Sequence, residues 1–346
     1  MTALSGRRPR HLLSSSLLAR AAAPLAAVAL LAGPAAQAAA PTPDSAASTR
    51  ASGSNGTIVP QDLPRGAEVR GAHPASPASR TLVRGDVRVT VPGTFVSLLG
   101  TSGSSFVVNV LRGEQWSVLR VGPGGSERLV TRSEGEGVVL GSDGRLLTVV
   151  RSEANRTTRI DVVRAATGET VQRRTFSGYK TVLDVRGTTA ILGSDQGTYR
   201  WDLTRGGTTL LTRRVGYTAD IAAGRLASFD GDPYLGGCSV VTSLAAPGTM
   251  LWRSCGERVE AFSPDGQRVA TVHILSDGAG PSRVSARGVR GRLIASYDVD
   301  GVFGAVRWES GRALLLDAYG RYRSATVRCE GTSCVRASAQ GFTSRG

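Results

Sequence analysis

Glycine recurs in this 346-residue chain at a period near 41, each period holds four strand-like runs, and no convincing helix interrupts them. Together these features predict an all-β chain folded as a β-propeller of six four-stranded blades, with seven as the alternative. One glycine series falls at Gly103, Gly144, Gly187, Gly224, Gly266 and Gly311, in steps of 41, 43, 37, 42 and 45. A second falls at Gly125, Gly168, Gly207, Gly248, Gly291 and Gly331, in steps of 43, 39, 41, 43 and 40. Two series that keep one order and one period mark two kinds of turn within a repeating unit.

The chain opens on a segment to be set aside from fold reasoning. Arg7, Arg8, Arg10 and Arg20 precede the apolar stretch Ala21 to Ala32, and Ala36-Gln37-Ala38 fits a signal-peptidase site. Twelve residues are too few to span a membrane, which takes about 20. Residues 1–38 are therefore expected to be a signal peptide, with no membrane span after cleavage. Residues 39–80 are rich in Ala, Pro, Ser and Gly with almost no apolar period, and are expected to be a disordered linker. The propeller is expected over 81–346.

The clearest unit runs from Arg258 to Ile274. Two short strands flank Ser263-Pro264-Asp265-Gly266, in which Pro presets φ, Asp bonds its own backbone and Gly takes positive φ. The second strands are apolar in runs, as in residues 106–111, 146–150, 269–274 and 313–318. Runs of that kind fit strands covered on both faces by neighbouring blades. Val87 to Val91 reads as an outer strand ahead of the first full unit, so it either joins the last blade or belongs to an incomplete seventh.

Four cysteines follow the leader. Cys238 and Cys255 are symmetric about a turn in residues 243–250, and Cys329 and Cys334 about the turn Glu330 to Ser333. Each pair faces across its own hairpin, so the disulfides Cys238–Cys255 and Cys329–Cys334 are expected in an oxidising compartment. The formal charge is +15; removing the four leader arginines leaves +11, with Lys180 the only lysine. Scattered arginine beside abundant alanine and glycine reads as high-GC coding on solvated blade faces, and no nucleic-acid partner is expected.

Phe262-Ser263-Pro264-Asp265-Gly266 and Gly141-Ser142-Asp143-Gly144 resemble the turns of TolB-like and WD-repeat-like bacterial propellers. The resemblance covers Thr81 onward at the level of fold. No unit carries the paired Gly-His and Trp-Asp of true WD repeats, and Trp201-Asp202 stands alone.

Chemistry is sparse. Beyond the leader only His73 and His273 remain, the first in the expected linker and the second expected to pack inside a strand. Asp230-Gly231-Asp232 and Asp298 to Gly301 each lack the remainder of a calcium loop and read as turns, so neither metal nor cofactor is expected. Ser194 to Trp201 resembles an Asp-box, itself a structural turn. By fold analogy, the loops on one propeller face bring together Tyr179, Lys180, Tyr217, Asp230, Asp232, Tyr234, Asp300 and Tyr319 as candidate ligand contacts. The expected role is that of a secreted, monomeric, non-enzymatic module for a protein or cell-envelope ligand. A secreted glycan hydrolase or lyase is the alternative.

Overall fold

The structure is a computed structural model that describes residues 57–153, 156–276, 278 and 280–343. The expected signal peptide and residues 39–56 of the expected linker lie outside the described residues.

The described chain forms a β-propeller of seven sheets. A two-residue strand, β1 (Thr57–Ile58), comes first, then a three-stranded short blade of β2 (His73–Pro74), β3 (Thr81–Arg84) and β4 (Val87–Thr90). Six full blades follow, each a four-strand meander. The first holds β5 (Phe95–Ser102), β6 (Ser105–Arg112), β7 (Gln115–Val121) and β8 (Glu127–Arg132). The second holds β9 (Val138–Leu140), β10 (Leu146–Glu153), β11 (Thr157–Arg164) and β12 (Thr170–Ser177). The third holds β13 (Thr181–Arg186), β14 (Thr189–Ser194), β15 (Gly197–Asp202) and β16 (Thr208–Thr212). The fourth holds β17 (Val215–Asp220), β18 (Arg225–Phe229), β19 (Ser239–Ser243) and β20 (Met250–Ser254). The fifth holds β21 (Glu257–Phe262), β22 (Arg268–His273), β23 (Arg283–Gly288) and β24 (Leu293–Val299). The sixth holds β25 (Val302–Trp308), β26 (Leu314–Tyr319), β27 (Arg323–Glu330) and β28 (Ser333–Arg336), with β29 (Gly341–Phe342) added against β27.

The six expected four-stranded units are all present, and Val87–Thr90 belongs to an incomplete seventh, the stated alternative. First strands of adjacent blades touch, β13 with β17, β17 with β21 and β21 with β25, which sets them around a common axis. The core lies between blades. Val107 and Val118 of the first blade meet Leu147 and Val149 of the second, and Ala227 and Val241 of the fourth meet Val259 and Val269 of the fifth. Second strands thus bury both faces, which is why their sequence does not alternate.

The Ser263 to Gly266 turn shows how a blade is locked locally. Asp265 Oδ1 accepts from Ser263 Oγ at 2.6 Å and from Gln267 N at 3.0 Å, while Gly266 N donates to Ser263 O at 2.8 Å. Gly266 has φ 65°, and a Cβ there would lie 2.7 Å from Ala223 O in the neighbouring blade's turn. Glycine is needed both for its conformation and for that approach.

Five first strands carry a register slip against their second strand. The residues left out of the ladder are Leu99, Leu183, Tyr217, Glu260, and the pair Gly304 and Ala305. A bulge of this kind turns one side chain away from the ladder's alternation.

Residues 57–80 differ from the expected linker. β1 runs parallel to β24, and the chain then crosses to the sixth blade as a strap. Arg336 Nε donates to Leu63 O at 2.8 Å, and Arg328 Nη1 and Nη2 donate to Ala67 O and Glu68 O at 2.7 and 3.0 Å. Gly66 N donates to Arg336 O at 2.8 Å and Val69 N to Ala337 O at 3.0 Å. The segment lacks apolar periodicity because its backbone, not its side chains, makes most of these bonds.

Both disulfides join the expected partners. Cys238 and Cys255 have Cα atoms 4.1 Å apart, flanking the β19–β20 hairpin. Cys329 and Cys334 are direct cross-strand partners 4.2 Å apart. Two such pairs are consistent with an extracytoplasmic location. No helix among the described residues is long and apolar enough to cross a membrane.

Candidate functional site

The β18–β19 loop of the fourth full blade is exposed and held by its own hydrogen bonds. Asp232 caps a short 3-10 turn over Pro233–Leu235, accepting from Tyr234 N at 2.9 Å, and Gly236 ends it at φ 89°. Asp230 anchors the loop's base, accepting from Cys238 N at 2.7 Å and Arg253 Nε at 2.8 Å. The Cys238 N–H and then the Arg253 guanidinium hold its carboxyl below the usual aspartate value. With Cys238 bonded to Cys255, the loop is fixed at both ends. It presents Tyr234 and Leu235, 69% and 86% exposed.

Two adjoining depressions lie between the third and fourth blades beside this knob. One, of about 750 Å³, is lined by Asp195, Arg213, Arg214, Phe229, Asp230 and Asp232. The other, of about 380 Å³, is lined by Tyr179, Leu183, Ser194 and Tyr217. They share Asp195 and Val215.

The expected contact residues fall into three groups. Tyr179, Asp230, Asp232 and Tyr234 share this region, with Tyr179 62% exposed. Tyr217 lines the smaller depression, but its hydroxyl is already engaged. It accepts from Val259 N at 2.9 Å and shares a 2.6 Å hydrogen bond with Ser239 Oγ, while the ring stacks on Phe229 at 4.2 Å. Burial pushes its pKa up to about 12, so it serves as a bracket between the fourth and fifth blades.

Lys180, Asp300 and Tyr319 do not join the group. Lys180 is buried, its ammonium 5.5 Å from the Tyr199 ring centre and its backbone N–H donating to Thr158 Oγ1 at 3.1 Å. Asp300 sits at the exposed turn between β24 and β25, and Tyr319 lines a different cavity at the short blade. The histidines exchange the environments expected of them: His73 is 1% exposed, and His273 is exposed at the end of β22.

Sequence reading missed Leu235 and Arg214. Leu235 carries no motif; an apolar residue beside Gly236-Gly237 in a 2–3 loop was the available signal. Arg214 was one arginine among many. Among the described residues, no group of three or more His, Cys, Asp or Glu side chains is placed to hold a metal ion.

A further cavity, of about 700 Å³, lies at the short blade. Its walls come from β5 on one side and β25 and β26 on the other, with His73 and Pro74 of β2 behind them.

No family model matches the chain, and no curated protein matches it. Solved structures do resemble it. The β-propeller domain of the Trilobed protease from Pyrococcus furiosus, described as having an open velcro topology, superposes with a TM-score of 0.54 at 10% identity, covering 75% of this chain and 86% of that one. Acylaminoacyl peptidase from Pyrococcus horikoshii also reaches 0.54 at 10% identity, over 75% of this chain but 47% of the peptidase. TolB from Acinetobacter baumannii aligns at 19% identity and TM-score 0.44, over 68% of this chain and 63% of TolB. The chain spans less than two thirds of TolB and less than half of the intact peptidase. At these identities the shared property is the fold alone, the β-propeller of the Trilobed protease domain.

Proposed function

We propose that the chain is an exported, non-enzymatic binding module that takes a protein or cell-envelope ligand on the face between the third and fourth full blades. The observation that carries this reading is the Tyr234–Leu235 knob, exposed yet held by Asp232, Asp230 and the Cys238–Cys255 disulfide. An apolar pair on a constrained loop loses little conformational freedom on docking, and aromatic anchors dominate interface energetics. Tyr179 and the Asp195–Arg214 depressions give it a rim with shape and charge. The module works outside the cytoplasm, in keeping with the expected signal peptide and the two disulfides, and as a monomer.

The test is cross-linking capture from envelope extract by the mature chain, compared with a Tyr234→Ala, Leu235→Ser variant. Both positions are exposed, so the variant folds. A partner captured by the parent and lost by the variant supports the reading; equal capture shows another face is used. A panel of glycans and peptides is assayed in parallel. Turnover that Asp230→Ala or Asp300→Ala abolishes would replace this reading with the glycan-enzyme one.

A further inference from the structure

Six blades have four strands and one has three, and the missing member is the strand nearest the axis. β2, β3 and β4 pair in that order, and β4 leads into β5 as the fourth strand of each full blade leads into the first strand of the next, so they stand in the second, third and fourth places. Where a first strand would lie, β5 of the first blade and β25 of the sixth face a cavity of about 700 Å³. A residue in a strand takes about 3.3 Å of rise, about 4.8 Å of strand spacing and about 10 Å between packed sheets, or roughly 160 Å³. The cavity therefore matches about four residues of extended chain, within the three-to-eight range of the first strands of the full blades.

The walls define the guest. Leu98 and Phe95 on one side and Ala305 on the other are apolar, and Ala305 is exposed. Arg80 and Arg307 also line the slot, against one carboxylate, Asp317. Arg307 Nη1 lies 3.3 Å from Asp317, and its Nη2 has no hydrogen-bond partner. His73, 1% exposed, has its Nε2 3.9 Å from the Glu68 carboxylate, so the excess charge rests on the arginines. The slot thus carries an excess of positive charge over an apolar floor. On β2, Pro74 has no N–H, so the edge can accept from a guest strand but cannot propagate a full ladder between copies of this chain.

We propose that a partner protein completes the short blade by laying an extended segment of about four residues, alternating apolar and acidic, into this slot. Apolar side chains would face Leu98 and the acidic ones Arg307, with the Pro74 carbonyl accepting from the guest backbone. This surface is separate from the Tyr234 face, so either reading can fail alone.

The probes are an N-acetylated, C-amidated pentapeptide of alternating valine and aspartate, and the same peptide with asparagine for aspartate. Each is fluorescently labelled and titrated with the mature chain by anisotropy. The aspartate peptide is expected to bind at least tenfold tighter. Arg307→Met should remove that preference, and Ala305→Trp, which fills the slot from an exposed position, should abolish binding with an unchanged thermal melt. Equal affinity for the two peptides would overturn the charge assignment, and binding retained in Ala305→Trp would overturn the slot. No binding of either peptide at millimolar concentration, or a concentration-dependent dimer blocked by Ala305→Trp, would overturn the partner-donated strand.

Discussion

The fifth full blade and the strap of residues 57–72 are built by opposite means. In the fifth, β21 to β24 each pair with their neighbour in sequence, β1 being added only at the outer edge, and the Ser263–Gly266 turn satisfies itself within six residues. The strap is held by contacts between segments far apart in the chain, in which Arg328 and Arg336 of the sixth blade reach its carbonyls from some 260 to 273 positions away. A local blade can form as soon as its residues meet, whereas the strap can form only after the ring has almost closed. Damage should therefore stay local in the first and spread in the second.

Arg328→Met should show the largest effect. Its side chain bridges Glu309, Ala67 O and Glu68 O, with both members of the ion pair nearly buried. Removing one partner strands the other carboxylate, at about 3–5 kcal/mol. Denaturant unfolding should read this loss, and proteolysis should cut first within residues 57–72. A loss under about 1 kcal/mol would mean that the strap does not clamp the ring.

Next comes Cys238→Ser with Cys255→Ser, which should cost about 3 kcal/mol by loop entropy, against about 2 for Cys329→Ser with Cys334→Ser. Equal costs measured by thermal unfolding would contradict the loop-length ordering.

Acid should pull the two kinds of region apart. Burial pushes the Asp184 carboxyl, on β13, up to about 6, although it accepts from Val185 N and Ile221 N. A raised folded pKa gives stability that is present below the unfolded value near 3.8 and is lost as pH rises through about 6. Asp184→Asn should therefore look worse against the parent at pH 4 than at pH 7, by on the order of 2 kcal/mol. Glu309 behaves in reverse. Burial alone would raise its carboxyl, but the bonds from Arg328 and Arg70 N hold it below the usual range, so its contribution fades as pH falls through that lowered value. Strap protection that rises with acid, read by hydrogen exchange, would contradict this.

Asp265→Ala should have the smallest effect, about 1 kcal/mol, since one turn loses a shared acceptor. Protection of blades beyond the fourth and fifth should not change.

The same contrast explains what could be read from the sequence. The glycine turns, the Ser263–Gly266 hairpin and both cysteine pairs are local, and each leaves its signature within some twenty residues. The strap leaves none, because Leu63, Pro64, Ala67 and Glu68 contribute carbonyls, which every residue has. Tyr217 was legible as an aromatic on the right face, but its hydroxyl is committed to Ser239 and Val259, two blades' worth of packing that no spacing reveals. Asp300 and Tyr319 were grouped with it by analogy alone, and ring geometry separates them.

The residues skipped by the first-strand ladders carry a historical consequence. Leu99, Leu183, Tyr217, Glu260 and Ala305 stand outside the pairing that fixes strand register. Leu99 and Ala305 line the slot, Leu183 and Tyr217 the smaller depression, and Glu260 another cavity beside Phe303. Descendants of this chain can therefore exchange Leu99, Leu183 and Ala305, and so acquire new ligands, while the strand register is inherited unaltered; Tyr217 and Glu260, bonded to Val259 and Arg258, are less free to change.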